Sequence, residues 1–130
     1  MTDDSRDFWG EPIHTYTRAE ALADGVLVDV TETAREAGFA VPVALTVGIW
    51  SDVRDIPASK RGYQDTDGRL WDLLHMGRLT ASRADALDRD EILYRLHMDL
   101  GRKRLYVAKL HIGPGDAGGP AVTIMRPEED

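Results

Sequence analysis

The chain has 130 residues, 42% of them apolar or aromatic, with 16 Lys and Arg against 23 Asp and Glu, a formal charge of −7, and no cysteine. That size supports one globular domain over residues 1–130 with a core of its own, and the lack of cysteine excludes a disulfide framework, a thiolate zinc site and a cysteine nucleophile. No run of about 18 apolar residues occurs, and the first residues are acidic where a signal peptide would be basic, so the expected location is the cytoplasm, away from membranes.

Charge is unevenly spread. Residues 1–52 hold ten carboxylates and three arginines, whereas residues 53–126 hold thirteen Lys and Arg against ten Asp and Glu. The amino-terminal half therefore reads as an acidic lobe and the rest as mildly basic.

At the amino terminus, residues 1–12 are polar and expected to be flexible, and Thr17-Arg18-Ala19-Glu20 is a capping box that predicts a helix over 18–24 stopped by Gly25. In the brief β-rich run Val26 to Val30, the valines are expected to point inward and Asp29 to face solvent or cap the next helix. A second box, Thr33-Ala34-Arg35-Glu36, predicts a helix ending at Gly38. Pro42 is then read as opening a third helix in which Val43, Val47 and Trp50 recur on one face. Residues 54–68 read as a long loop, and Leu70, Leu73, Leu74 and Leu79 mark a fourth helix from Arg69 to about Ser82.

Past residue 90 the apolar period changes from helical to alternating. Ile92, Tyr94, Leu96 and Met98 alternate with Leu93, Arg95, His97 and Asp99 as in a half-buried strand, Arg104 to Ile112 supplies a second strand, and Ala121 to Met125 a third. The expected fold is α+β: short N-terminal helices packed on a C-terminal three-stranded antiparallel β-meander, with residues 127–130 a flexible tail.

Several constellations invite chemistry. His97 and His111 fall on adjacent strands, but a metal site needs a third ligand from Glu91 or Asp99 amid cations, so an ordinary solvated sheet face is the expected reading, with no metal and no cofactor. Gly113-Pro114-Gly115-Asp116-Ala117-Gly118-Gly119 lacks the Gly-Lys-Ser/Thr ending of a phosphate loop and precedes a strand, as a hairpin connection does. Asp65-Thr66-Asp67-Gly68 echoes a calcium loop, yet the first and twelfth ligand positions would be Tyr63 and Leu74. No serine sits in a nucleophile elbow, and the chain is read as non-enzymatic.

Two surfaces remain. Arg95, Arg102, Lys103, Arg104 and Lys109 gather at one hairpin and could contact phosphate, although Tyr106 counts onto the buried face and the chain charge disfavours nucleic acid. The acidic lobe offers Asp3, Asp4, Asp7, Glu11, Asp24, Asp29 and Glu32. A carboxylate array on a rigid lobe can imitate the charge spacing of DNA and be steered into a basic groove of another protein.

The runs Phe8-Trp9-Gly10-Glu11-Pro12-Ile13, Asp24-Gly25-Val26-Leu27-Val28-Asp29-Val30, Ala34-Arg35-Glu36-Ala37-Gly38-Phe39, Gly68-Arg69-Leu70-Trp71-Asp72 and Gly113-Pro114-Gly115-Asp116 together resemble a family of small, acidic, uncharacterised proteins carried by bacterial plasmids, phages and integrative elements. The resemblance implies a bacterial cytoplasm and a mobile element, where small acidic proteins disarm restriction or CRISPR systems. It implies no catalytic residue. The expectation is a protein-binding accessory factor whose partner, a host or defence-system protein, presents a basic surface; the alternative is a nucleic-acid or nucleotide-binding domain using the basic sheet face.

Overall fold

A computed structural model describes residues 16–56, 65–83, 89–98 and 105–129. Among the described residues four helices, α1 (Arg18–Ala23), α2 (Thr31–Glu36), α3 (Val47–Arg54) and α4 (Thr66–Ala81), surround five strands, β1 (Leu27–Asp29), β2 (Val43–Thr46), β3 (Glu91–His97), β4 (Leu105–Pro114) and β5 (Pro120–Met125). The sheet order is β1-β2-β5-β4-β3. β2 and β5 run parallel and every other pair is antiparallel.

This corrects the expected architecture. The fold is α+β, but it is built on a five-stranded mixed sheet that threads between the helices, not on a three-stranded antiparallel meander capped by N-terminal helices. The error lies at Val43-Ala44-Leu45, read as the first turn of a helix. All three are buried, because β2 has a strand on each side and is covered on both faces. A continuous apolar run has no alternation to distinguish it from a helix, and only the pairing with β1 and β5 decides. A helix does follow, but it begins later, at Val47, and it buries Ile49 and Val53 while Val47, expected on the apolar face, is exposed; the Thr46 hydroxyl accepts the Ile49 amide and β2 passes into α3 without a loop.

Local chemistry explains the other boundaries. The Thr17 hydroxyl accepts from the Glu20 amide and the Glu20 carboxylate from the Thr17 amide, a complete capping box. α1 closes in a Schellman turn, with Gly25 at φ 79° and the amides of Gly25 and Val26 donating to the carbonyls of Leu22 and Ala21. α2 starts at Thr31, two residues before the expected box at Thr33. The reason is Asp29, whose carboxylate accepts both the amide and the hydroxyl of Thr31, while the Thr31 hydroxyl also accepts the Val43 amide from β2. α4 likewise begins before Arg69, because Asp65 accepts the Gly68 amide and caps it. Of the run expected inward, Val30 is buried and Val28 packs on the core, but Val26 is exposed at the Schellman turn.

The core lies between one face of the sheet and helices α2, α3 and α4. Val43 and Leu45 of β2, Val122 and Ile124 of β5, Ala108 and Leu110 of β4, and Ile92, Tyr94 and Leu96 of β3 meet Ala34, Ile49, Val53, Leu73 and Leu74. α1 lies against the opposite face at the β1 end, where Arg18 donates to the Thr123 hydroxyl and the Val122 carbonyl.

Gly25 gives a direct test of the turn. No atom outside its neighbours lies within 4 Å of an added Cβ, so a substitution there meets backbone strain alone. Gly25→Val is expected to cost about 1–2 kcal/mol and Gly25→Asn distinctly less, read as melting temperatures. Equal losses for the two would mean that the left-handed conformation is not what the glycine serves.

Candidate functional site

Of the acidic residues singled out in the amino-terminal lobe, three lie within the described segments, close together on one stretch of chain. Asp24 ends α1, Asp29 ends β1 and Glu32 opens α2, and all three are exposed. β1 is an edge strand, so this stretch forms one rim of the sheet. Asp3, Asp4, Asp7 and Glu11 lie outside the described residues.

The rim is held in place. The Tyr16 hydroxyl donates to the Asp24 carboxylate over 2.7 Å, a hydrogen bond that pushes the phenol up to about 12. Asp116, in the turn between β4 and β5, accepts the amides of Arg18 at 3.1 Å and Ala19 at 2.7 Å, capping the start of α1 from 97 residues away. The Arg18 guanidinium is half-buried on Thr123, and burial lowers its pKa while Asp116 and Asp29 oppose that shift. The glycine-rich segment is thus a hairpin connection that pins α1 to the sheet. Between α1 and the sheet opens a groove of about 610 Å³, with Leu27 and Met125 among its apolar lining and Arg18, Glu91, His111 and Asp116 among its polar lining.

The basic set is divided differently. Arg95 is exposed on β3, and the register places Lys109 of β4 on the same sheet face. Lys109 is nevertheless buried, and its ammonium donates to the Glu129 carbonyl. Arg102, Lys103 and Arg104 lie outside the described residues. Tyr106 is buried, on the face that the alternation gives it. His97 pairs with Leu105 and His111 with Glu91, so the two imidazoles are separated by about 20 Å of strand. Among the described residues no group of three or more His, Asp or Glu could hold a metal ion.

Sequence reasoning missed a polar cluster at the carboxyl end. Arg126 forms a bidentate pair with Asp52 of α3, at 3.0 and 2.8 Å, and the Tyr106 hydroxyl donates to the same carboxylate. Glu129 accepts the Thr46 hydroxyl and the Arg126 amide, both at 2.7 Å. Residue 129 is therefore tied to β2 and β4 where a free tail is expected. An acidic tail following a basic residue is the local hint, since Asp52 lies 54 residues from Tyr106 and 74 from Arg126, and Thr46 lies 83 from Glu129.

Burial alone would raise the Asp52 carboxyl, but hydrogen bonds from Arg126 and Tyr106 outweigh it and hold the group below its ordinary range. Burial, then the hydrogen bond to Asp52, pushes the Tyr106 phenol up. A folded-state pKa below the unfolded one contributes stability that is complete above the unfolded value, near 3.9, and lost as pH falls through the folded one. Asp52→Asn is thus expected to lower the melting temperature at pH 7, with the gap to wild type closing below about pH 4. A gap independent of pH would detach the cluster from stability.

Among the described residues no helix is long and apolar enough to cross a membrane. Comparison with curated proteins gives no match, and neither does comparison with solved structures. A family model does match, over residues 8–130, which takes in the acidic rim, the α1 groove and the Asp52 cluster alike. The chain belongs to the family of unknown function DUF6573.

Proposed function

We propose that this protein is a non-enzymatic, protein-binding accessory factor of a mobile genetic element, and that it inhibits a host nucleic-acid-targeting defence complex of the CRISPR or restriction type in the bacterial cytoplasm. The observation that supports this reading is the exposure of Asp24, Asp29 and Glu32 on a rim anchored by Arg18 and Asp116. Carboxylates held as Asp24 is by the Tyr16 hydroxyl and Asp29 by Thr31 lose little conformational freedom on binding and present a stable negative field, to which a basic nucleic-acid groove is attracted. The net charge of −7 adds long-range steering toward a basic partner.

The nucleic-acid alternative draws less support, because the Lys109 ammonium is already used inside the protein. Capture from nuclease-treated bacterial lysate, followed by mass spectrometry, separates the two. The expected catch is a subunit of a nucleic-acid-targeting complex, released by salt and competed by duplex DNA. Recovery of nucleic acid from untreated lysate, with no protein retained after nuclease, would replace the reading by its alternative.

A further inference from the structure

The edge of the sheet opposite the acidic rim is β3, seven residues long, and among the described residues no strand pairs with its outer side. The Ile112 amide donates to the Asp90 carbonyl, which fixes the phase of the β3–β4 ladder: even-numbered residues of β3 bond to β4, and the amides and carbonyls of Glu91, Leu93, Arg95 and His97 point away from it. A long edge with free backbone groups is a template for another strand. Leu93 is 61% exposed, the most exposed large apolar side chain of the described residues, and Val107 of β4 is exposed as well.

The side chains on this edge are complementary to themselves. An antiparallel pairing of two β3 strands about a two-fold axis through Leu93 places Leu93 opposite Leu93, and Glu91 opposite Arg95 of the second copy, twice. The outward backbone groups of residues 91, 93 and 95 are the ones such a register needs. Both charged side chains are exposed, and among the described residues neither has an ion-pair partner in its own chain.

We infer that β3 is a self-association edge, and that two copies of this chain join there into a continuous ten-stranded sheet with a Leu93 contact on the axis and two Glu91–Arg95 pairs flanking it. The dimer carries its two acidic rims at the far ends of the sheet. This inference does not depend on what the rims bind.

Sedimentation equilibrium of the full chain over a concentration series tests it. Wild type is expected to approach twice the chain mass of 14.4 kDa. Glu91→Arg and Arg95→Glu each set like charges opposite each other and are expected to weaken association at least about tenfold. An equimolar mixture of the two restores both opposite-charge pairs in a heterodimer, and the double variant restores them in a homodimer, so both recover the dimer mass. Leu93→Pro removes an outward amide without touching the β4 ladder and is expected to leave a folded monomer by circular dichroism. A wild type that stays at the chain mass throughout, or a dimer indifferent to the single reversals, would overturn the inference.

Discussion

Gly77→Ala is expected to destabilise the protein by about 1–3 kcal/mol, although alanine is favoured over glycine in a helix interior by about 1 kcal/mol. Gly77 lies in the buried face of α4, and a Cβ there would stand 2.9 Å from the Tyr94 hydroxyl oxygen, 3.1 Å from its ring carbon and 3.4 Å from a Leu110 methyl. Tyr94 cannot retreat at no cost. Its hydroxyl donates over 2.8 Å to the Leu73 carbonyl within the core, and burial pushes the phenol far up, so the group stays neutral and needs that acceptor. The carbonyl of residue 73 also receives the helical amide of residue 77, so Tyr94→Phe removes the crowding oxygen without orphaning an acceptor. Gly77→Ala should therefore cost measurably less in the Tyr94→Phe background, read as a double-mutant cycle in urea. Additive losses would place the strain elsewhere.

The second large effect is expected at Arg69, a buried arginine on α4. Its guanidinium donates to the carbonyls of Asp52 at 2.9 Å and Asp55 at 3.2 Å, at the end of α3. The last carbonyls of a helix have no intrahelical partner, and a cation there both satisfies them and complements the helix dipole. Arg69→Met fills similar volume but takes the donor away from those part-buried acceptors, at a cost of about 2–4 kcal/mol and roughly 10 °C in melting temperature. Lysine carries one point charge instead of a planar fork and should recover only part of the loss. A methionine variant as stable as wild type would show that α3 ends without this support.

These two sites also mark what a single sequence can and cannot display. Thr17 with Glu20, and Gly25 behind them, declare α1 through bonds that span a few residues, and the alternation of Ile92, Tyr94 and Leu96 declares β3. Val43-Ala44-Leu45 declares nothing by itself, because burial on both faces erases the period that separates strand from helix. The parallel pairing of β2 with β5 joins segments almost eighty residues apart, beyond any local pattern, and with it goes the expected three-stranded meander. The same holds for chemistry. The exposed carboxylates Asp24, Asp29 and Glu32 are legible as charge in the sequence, but the bond from Asp116 that steadies α1 is not. Lys109 alternates onto a sheet face as if solvated, and only the return of Glu129 buries it. Asp52 and Arg126, 74 residues apart, read separately as two ordinary surface charges.

The claim that the acidic rim is the binding surface is tested most directly by association kinetics with a purified captured partner across an ionic-strength series. Neutralising Asp3, Asp4, Asp7, Glu11, Asp24 and Glu32 to their amides leaves the Asp29–Thr31 contact of α2 intact and takes six negative charges from the amino-terminal lobe. If the rim binds, the variant is folded, associates more slowly at low salt, and shows a flatter dependence of its association rate on salt than wild type. Wild-type rates with an unchanged salt dependence would contradict that role.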